Sequence, residues 1–391
     1  MAGTGELYKN DSGKWAFRVK ASNGDTVAVN DGGGYPSKTT AGTILKKLLH
    51  GGYDGPIHQA AAVVCGQEIT TNTTLDGNLV CENGPAIIIA ADNITLDLAG
   101  FTISGKGPAA AEGPGILFRN VTGSTVQKGT VTHFGAGVAV TGGSANVVQN
   151  VTVADNVGPA DGDFGDGIVI TDSTDNVIQG NTVQRNGPYS GISVVGASTG
   201  NDIRQNVVTD NNMLPGDPGA GRQDMGIRIE GPAANSNKIT GNTVTGSGAD
   251  GIVVLATCAD PNVGCAGTPP NEQNEITANM SHNNGTSGRG DGIRLFAVPQ
   301  PVAPAHNTVA DNVADNNASN GVAIDANGAA NPGPPENTVT GNSGHGNGQF
   351  DGFDGNTAPA CGTNTWSGND FGTFNQPCVA AGAPAPPAPP A

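Results

Sequence analysis

The sequence has 391 residues and a formal net charge of −17, with 13 % charged residues, 4 % aromatic residues and 62 glycines. Such an acidic chain repels nucleic acid and anionic membranes, because both require a basic footprint. No apolar run approaches the ~20 residues of a membrane-spanning helix. The composition therefore argues against nucleic-acid binding and membrane insertion, and it predicts few long helices.

Residues 1–53 differ in composition from the rest of the chain. Glu6–Lys9 and Trp15–Val19 alternate like two strands, and the turn residues 11–13 between them suit a hairpin. Thr39–Leu49 predicts a helix that ends at two glycines. Its predicted apolar stripe consists of Ile44, Leu45, Leu48 and Leu49. The sequence thus begins with a predicted ββα domain, followed by a linker over 54–64.

From Cys65 onward the chain repeats one unit, Asn-x-[Ile/Val]-x-x-Asn-x-Val-x-x-Asn, with copies starting at Asn176, Asn201, Asn307 and Asn337. A Gly-Ile or Gly-Val pair precedes each unit. These pairs are Gly115-Ile116, Gly137-Val138, Gly167-Ile168, Gly191-Ile192, Gly226-Ile227, Gly251-Ile252, Gly292-Ile293 and Gly321-Val322. Internal repetition of this kind indicates a solenoid.

Each copy predicts one coil with three short strands, the first starting at Gly-Ile. Aliphatic residues of the second and third strands, such as Ile178, Val183 and Val313, would point inward and stack on their equivalents one coil away. The asparagine at each bend would hydrogen-bond to its neighbours above and below, and it would adopt the left-handed conformation of the corner. The predicted fold is an all-β, right-handed parallel β-helix over residues 65–378.

Six cysteines form three sequence-local pairs without a CxxC spacing, so disulfides are favoured over a zinc site. The pairs are Cys65 with Cys81, Cys258 with Cys265, and Cys361 with Cys378. Trp366, Phe371 and Phe374 would form a lid over the last coil, before a disordered Ala/Pro-rich tail at 379–391. Disulfides predict an extracellular or cell-envelope location, whereas the N-terminus lacks the apolar stretch of a signal peptide.

Two resemblances support this division of the chain. Glu6-Leu7-Tyr8-Lys9, residues 20–24 and Gly34-Tyr35-x-x-Lys38 resemble the YegP-like domain family, which implies no known chemistry. Cys65-Gly66-x-x-Ile69-Thr70, residues 93–100 and the Trp366–Cys378 terminus resemble secreted right-handed β-helix repeat proteins of the pectate-lyase-like superfamily, including NosD-type repeats. The second resemblance implies a β-helix and a polysaccharide as a candidate partner.

Long loops flank the Gly-Ile strands on both sides, so these strands are predicted to form the floor of a groove. If Ile227 and Ile229 point inward, Arg228 and Glu230 point outward into that groove, as Arg294 does two coils away. Carboxylates stand just before the strands or one residue further back. They are Asp166, Asp224, Asp250 and Asp291.

The functional interpretation of this face is a carbohydrate site. Asp250 and Asp291 are the candidate acid and base of a hydrolase, lyase or epimerase, and Arg228 and Arg294 are candidate substrate clamps. Other candidate substrate-binding residues are Glu230, Asp224 and Asp166. The alternative is structural: an aspartate before glycine shapes the corner and pairs with a neighbouring arginine. The acidic stretch 161–166 is a weaker candidate for calcium, and no other cofactor is predicted.

Two functions remain open from the sequence. One is the binding or processing of a polysaccharide or cell-envelope glycan at the Gly-Ile face. The other is a non-catalytic structural or adhesive module. Aromatic platforms for sugars are scarce, since Tyr189 is the one tyrosine of the repeat region, and the Asn-Thr-Asp and Gly-His-Gly motifs of polygalacturonases are missing. The oligomeric state is left undetermined.

Overall fold

The computed structural model describes residues 4–10, 13–20, 26–29, 34–50, 63–107, 113–158, 165–212, 224–256, 269–297, 303–325, 333–357 and 359–380. The chain divides into two compact units, Met1–Ala61 and Ala62–Ala391. Within the described ranges, no helix is long and apolar enough to span a bilayer.

The N-terminal unit is an antiparallel sheet with one helix. Its strands Thr4–Lys9, Trp15–Lys20 and Thr26–Val29 are ordered sequentially, and the helix spans Lys38–Leu49. The Ser37 hydroxyl caps this helix by accepting the Thr40 N–H at 3.1 Å. The prediction of two strands is therefore corrected to three. The third strand has only four residues, which is too short for alternation to identify it.

The helix of this unit packs through a narrower stripe than predicted. Ala41 and Leu45 are buried beside Phe17 of the sheet, whereas Leu48 and Leu49 remain 44 % and 40 % exposed. Residues four apart share a helix face, and the Leu45 and Leu49 side chains both lie against Gly5 of the first strand, so Ala41, Leu45 and Leu49 form the stripe that faces the sheet.

The second unit is a right-handed parallel β-helix with three faces. The Gly-Ile sheet has eleven strands among the described residues, each paired in parallel with the next coil. These strands are Gln67–Ile69, Ile87–Ile89, Pro114–Arg119, Ala136–Thr141, Ile168–Thr171, Ser190–Val195, Met225–Glu230, Ile252–Ala256, Ile293–Ala297, Val322–Asp325 and Gly352–Asp354. The sequence repeat had identified eight of them.

The other two faces consist of shorter strands. The second sheet contains Thr73–Thr74, Thr95–Asp97, Val177–Gln179, Asp202–Arg204, Lys238–Thr240, Glu275–Thr277, Thr308–Ala310, Thr338–Thr340 and Thr365–Ser367. The third contains Leu79–Val80, Thr102–Ser104, Thr182–Gln184, Val207–Thr209, Thr243–Thr245, Met280–His282, Ser343–Gly344 and Asp370–Phe371. Thr125–Thr132 and Val147–Ala154 run through both, and a 3-10 turn spans Pro377–Val379.

Aliphatic columns fill the interior as predicted, with one exception. The second-sheet column Ile178, Ile203, Ile239, Ile276, Val309 and Val339 is fully buried. In the third sheet, the inward-facing column continues from Val208 and Val244 to Ser281 and Ala314 in the next two coils. Val313, by contrast, is 37 % exposed. The prediction for Val313 was wrong by one residue, because two adjacent apolar residues leave the inward face ambiguous and a one-residue shift reverses it.

Asparagine ladders run along the axis. The Asn181 side-chain amide donates to Oδ1 of Asn206 at 3.0 Å, and Asn206 donates in the same way to Asn242 at 3.0 Å. The predicted left-handed conformation, however, belongs to the residue before each ladder asparagine, such as Gly180 (φ 63°) and Gln205 (φ 54°). That preceding residue turns the chain, so that the asparagine side chain points inward and satisfies buried backbone groups.

The two described disulfides close the ends of the solenoid. Cys65 is bonded to Cys81 and Cys361 to Cys378, as predicted, while the pair Cys258 and Cys265 lies outside the described residues. Trp366 covers the last coil, 9 % exposed, with its edge against Phe371. Phe374 does not belong to the lid, since it is 41 % exposed, and the fully buried Val379 is part of the cap instead. The predicted disordered tail lies almost wholly beyond the described residues.

Candidate functional site

Strand alternation places the predicted arginines on the outer face of the Gly-Ile sheet. Ile227 and Ile229 are fully buried in the core. Arg228 therefore projects outward, in register with Val253 of the next coil and Arg294 of the coil after that. Two strand steps separate the arginines by ~10 Å. The predicted alignment of these two side chains is confirmed.

The carboxylates before the glycines link adjacent coils. Asp250 Oδ1 accepts the backbone N–H of Asp291 at 2.7 Å, and Asp291 Oδ1 accepts the backbone N–H of Asn320 at 2.7 Å. The glycine that follows is required by packing, since a Cβ at Gly251 would lie 2.0 Å from the Ser281 hydroxyl oxygen. These aspartates therefore have a structural task, as the alternative interpretation of the sequence proposed.

Arg294 gathers three carboxylates around one guanidinium. Its Nη1 lies 3.3 Å from Asp250 Oδ2 and its Nε lies 3.5 Å from Asp291 Oδ2, while Nη2 pairs with Asp325. The guanidinium also lies 3.8 Å from the ring centroid of Phe296, a cation–π contact. We call these five residues the Arg294 cluster.

The cluster changes the protonation of its members. Burial, reinforced by the nearby charge of Asp250, raises the pKa of Asp291 to about 7, although Arg294 and Asn320 oppose the shift. Burial by itself would lower the pKa of Arg294, but the surrounding carboxylates outweigh it and the pKa is raised. Asp291 can therefore hold a proton near neutral pH, which an ordinary aspartate cannot.

The Arg294 cluster opens into a cleft of about 400 Å³ on the outer face of the sheet. Its lining includes Asp250, Asp291, Arg294, Asn320, Asp325 and Phe353, together with the exposed Arg289. We call this space the Arg294 cleft. This volume lies within the range of small-molecule ligand pockets, about 300–1,000 Å³.

A second cluster surrounds Arg228. This side chain lies 3.7 Å from Asp166, pairs with Glu230, and donates to the Ser193 hydroxyl at 3.1 Å and 3.2 Å. Burial raises the pKa of Asp166, against the influence of Arg228 and Ser193. Tyr189 lies 5.7 Å from the guanidinium and lines, with Asp166 and Arg228, a separate cleft of about 310 Å³.

The single site predicted from the sequence is thus divided. Asp250, Asp291 and Arg294 share one cleft, whereas Arg228 and Asp166 line the other and Glu230 pairs with Arg228 there. Asp224 is in the lining of neither. It is buried, at φ 36°, and its backbone carbonyl accepts the Ala249 N–H at 3.0 Å. The predicted substrate-binding role of Asp224 stays a prediction.

Two residues that contact Arg294 were not among the candidate site residues. Alternation predicts that Asp325 and Phe296 face outward, and the structure places both against the Arg294 guanidinium. Phe353 belongs to an additional strand in which Asp351-Gly352 stands in the place of the Gly-Ile pair, so the aliphatic pattern missed this strand. Residues 161–164 of the candidate calcium stretch and most residues of the predicted groove walls lie outside the described residues. Within the described ranges, no three His, Cys, Asp or Glu residues are arranged to hold a metal ion.

Solved structures with a similar course of the chain have low sequence identity. The A-module of an Azotobacter vinelandii mannuronan C-5 epimerase is 15 % identical, covering 80 % of this chain and 82 % of that chain, with a TM-score of 0.46. Pectate lyase Pel9A is 14 % identical, and the match covers 76 % of this chain and 70 % of the lyase, with a TM-score of 0.48. A tailspike protein of E. coli bacteriophage HK620, solved with a pentasaccharide, is 14 % identical. The match covers 78 % of this chain and 53 % of the tailspike chain, with a TM-score of 0.48.

Comparison of sequences gives a definite result for the family. No curated protein sequence matches the chain. The family model described as "Right handed beta helix region" matches residues 61–225 and 109–265, which together make up more than half of the sequence. These matches fall on the coils whose parallel register and asparagine ladders are described above. The chain therefore belongs to the right-handed β-helix family.

Proposed function

We propose that this protein works outside the cytoplasm, where it binds a polysaccharide in the Arg294 cleft and hydrolyses it by acid–base catalysis. One observation carries the proposal: Asp291, whose pKa is raised to about 7, stands beside a second carboxyl group, Asp250, in an open cleft. Glycoside hydrolysis requires such a pair, in which one carboxyl group donates a proton while the other is ionised.

The charges of the cluster support unequal roles for the two aspartates. Arg294 supplies one positive charge to both carboxyl groups, so a state in which the pair holds one proton is favoured. Asp291 is the general acid in our proposal, because burial favours its protonated form. Asp250 is the carboxylate that acts as base or nucleophile, at 3.3 Å from the Arg294 guanidinium.

The cleft also offers a surface for a sugar ring. Phe353 lies in its lining and is only partly buried. Aromatic rings bind the apolar faces of sugars, while carboxylates and amides bind the hydroxyl groups. The two disulfides support a location outside the cytoplasm, since disulfides persist in oxidising compartments.

The test is the release of reducing ends from a panel of neutral and uronate-rich polysaccharides. We expect Asp291→Asn and Asp250→Asn to lower the rate by at least about a hundredfold, since general acid–base catalysis contributes about 10²–10⁴. Asp351→Asn is the matched control, because Asp351 also precedes a glycine and bonds across the coil but is not in the cleft lining. Wild-type protein that releases no reducing ends from any polymer would refute the proposed reaction.

A non-catalytic module is the second candidate, and a specific observation favours it. Arg294 is already neutralised by Asp250, Asp291 and Asp325, and two of these carboxylates also hold the backbone of the next coil. A purely structural role would require no more than this. Wild-type protein that binds a glycan without cleaving it, with Asp291→Asn affecting only unfolding, would favour this second function.

A further inference from the structure

We propose that the surface around Trp15 in the N-terminal unit is a second binding surface, independent of the Arg294 cleft, and that its ligand is an anionic polysaccharide. Charge is distributed unequally along the chain. Residues 1–61 contain seven Lys or Arg and five Asp or Glu, whereas residues 62–391 contain ten Lys or Arg and 29 Asp or Glu. The small unit is therefore net positive in a strongly acidic protein, and it is where an anion is attracted.

The strand pairing assembles a cationic cluster around one indole ring. Lys9 is the register partner of Trp15 across the first two strands, and Tyr35 bridges to Trp15 just before the helix that begins at Lys38. Lys9 Nζ lies 5.8 Å and Lys38 Nζ lies 5.2 Å from the centroid of the Trp15 ring. Two ammonium groups thus converge on a single aromatic side chain.

No carboxylate among the described residues of this unit neutralises that pair. Glu6 is the one acidic residue within the ranges described there, and it is engaged by Arg18 at 2.6 Å and Lys20 at 3.2 Å. Two positive charges that share an aromatic ring repel each other. An anion that contacts both ammonium groups relieves this repulsion, so a negatively charged ligand gains more here than at a single surface lysine.

The same features favour a polysaccharide over a nucleic acid. Only two cations converge on Trp15, which suits a polymer with one carboxylate per sugar rather than duplex DNA, which carries one negative charge per ~1.7 Å of helix axis. The indole ring can bind the apolar face of a sugar next to the charged group.

The experiment measures binding of the full chain to immobilised polygalacturonate and to the same polymer after reduction of its carboxyl groups. We expect polygalacturonate to bind roughly tenfold more tightly at low salt, and this preference to disappear near 1 M salt, where the Debye length is about 3 Å. Lys9→Gln/Lys38→Gln is expected to weaken binding to polygalacturonate by roughly three- to tenfold. Trp15→Leu is expected to weaken binding to both polymers.

The matched control is Lys106→Gln/Lys128→Gln, which removes two positive charges already paired with Glu82 and Asp97. It is expected to bind polygalacturonate as the wild type does. An equal loss in this control, or equal binding of both polymers by the wild type, would overturn the proposal. Duplex DNA that binds as tightly as polygalacturonate would overturn the assignment to a polysaccharide.

The two proposals fail separately. Release of reducing ends reports on the Arg294 cleft, which Asp250→Asn/Asp291→Asn alters, whereas the salt-sensitive preference for polygalacturonate that depends on Lys9 and Lys38 reports on the Trp15 surface. If that variant abolishes the binding while Lys9→Gln/Lys38→Gln does not, the ligand occupies the cleft and the Trp15 surface has no part in it. Thermal unfolding of each variant establishes that the loss of binding is not a loss of fold.

Discussion

The backbone N–H of Asp291 donates to the carboxylate of Asp250 at 2.7 Å, and both side chains contact the guanidinium of Arg294. One hydrogen bond therefore joins two coils of the solenoid and also fixes the relative position of two carboxyl groups in an open cleft. The atoms on which the proposed chemistry depends are therefore also atoms that join the coils. Variants of this pair must consequently be measured for both properties.

The stability of the fold should depend on pH through Asp291. Because its pKa is raised from 3.8 to about 7, the folded chain holds a proton that the unfolded chain releases between those values. The stabilisation is fully present below about pH 4 and is lost as the pH rises through about 7. Between these limits, the free energy of unfolding of the wild type should fall relative to Asp291→Asn by up to about 4 kcal/mol.

Urea unfolding at several pH values between 4 and 8 measures this difference. The comparison with Asp291→Asn is essential, because the raised pKa of Asp166 acts in the same direction in both proteins. If the free energy of unfolding depended on pH in the same way in the wild type and in Asp291→Asn, Asp291 would titrate as an ordinary carboxyl group.

Removal of the Arg294 charge should raise the pKa of Asp291 further. In Arg294→Met three carboxyl groups lose their shared cation, and the opposing influence that Arg294 now exerts on Asp291 disappears. The variant should be less stable at pH 7 by about 3 kcal/mol, because breaking a buried ion pair leaves uncompensated charge. Stability should recover in part as the pH is lowered, because protonation removes that charge.

Arg294→Lys is the matched control for this prediction. It keeps the positive charge but loses the planar group that contacts three carboxylates at once. The pKa of Asp291, followed by NMR titration of its carboxyl carbon, should therefore change less than in Arg294→Met. Equal pKa values of Asp291 in the two variants would contradict the electrostatic account of the cluster.

A ladder asparagine should matter far more than its outward neighbour. Asn242 accepts two hydrogen bonds from Asn206 and donates to the Ile203 carbonyl at 2.9 Å and to Asn279 at 3.0 Å. Asn242→Ala leaves several buried groups without partners, which should cost about 3 kcal/mol. Thr243→Ala, on the outer face of the same coil, should cost under about 1 kcal/mol. Chemical unfolding compares the two, and equal losses would show that the ladder contributes little.

The C-terminal disulfide should stabilise the cap, because it closes a loop and so reduces the conformational freedom of the unfolded chain. Cys361 and Cys378 are 17 residues apart, and closing a loop of that length contributes about 3 kcal/mol. In Cys361→Ser/Cys378→Ser, hydrogen exchange should therefore accelerate in the last coil, near Trp366, and leave the central coils unchanged. Uniform acceleration along the solenoid would mean that the coils unfold as one cooperative unit.

The recurring unit determined the architecture from sequence alone. Periodic glycines, aliphatic residues and asparagines specify a coil, because they recur at the same strand and corner positions in successive turns of the stack. Local alternation also identified Arg228 and Arg294 as aligned outward-facing residues, since strand side chains alternate strictly. Two cap disulfides followed from the spacing of their cysteines within terminal coils.

Only the tertiary structure decided which of those residues share a cleft. Asp325 and Asp250 are 75 positions apart and meet at Arg294 because stacking brings successive coils within a strand spacing of each other, and no local pattern encodes such a meeting. The raised pKa of Asp291 likewise depends on burial and on the charge of Asp250, both of which arise from neighbouring coils. Sequence specifies each coil, but the electrostatics of a cleft depend on three-dimensional distances between coils.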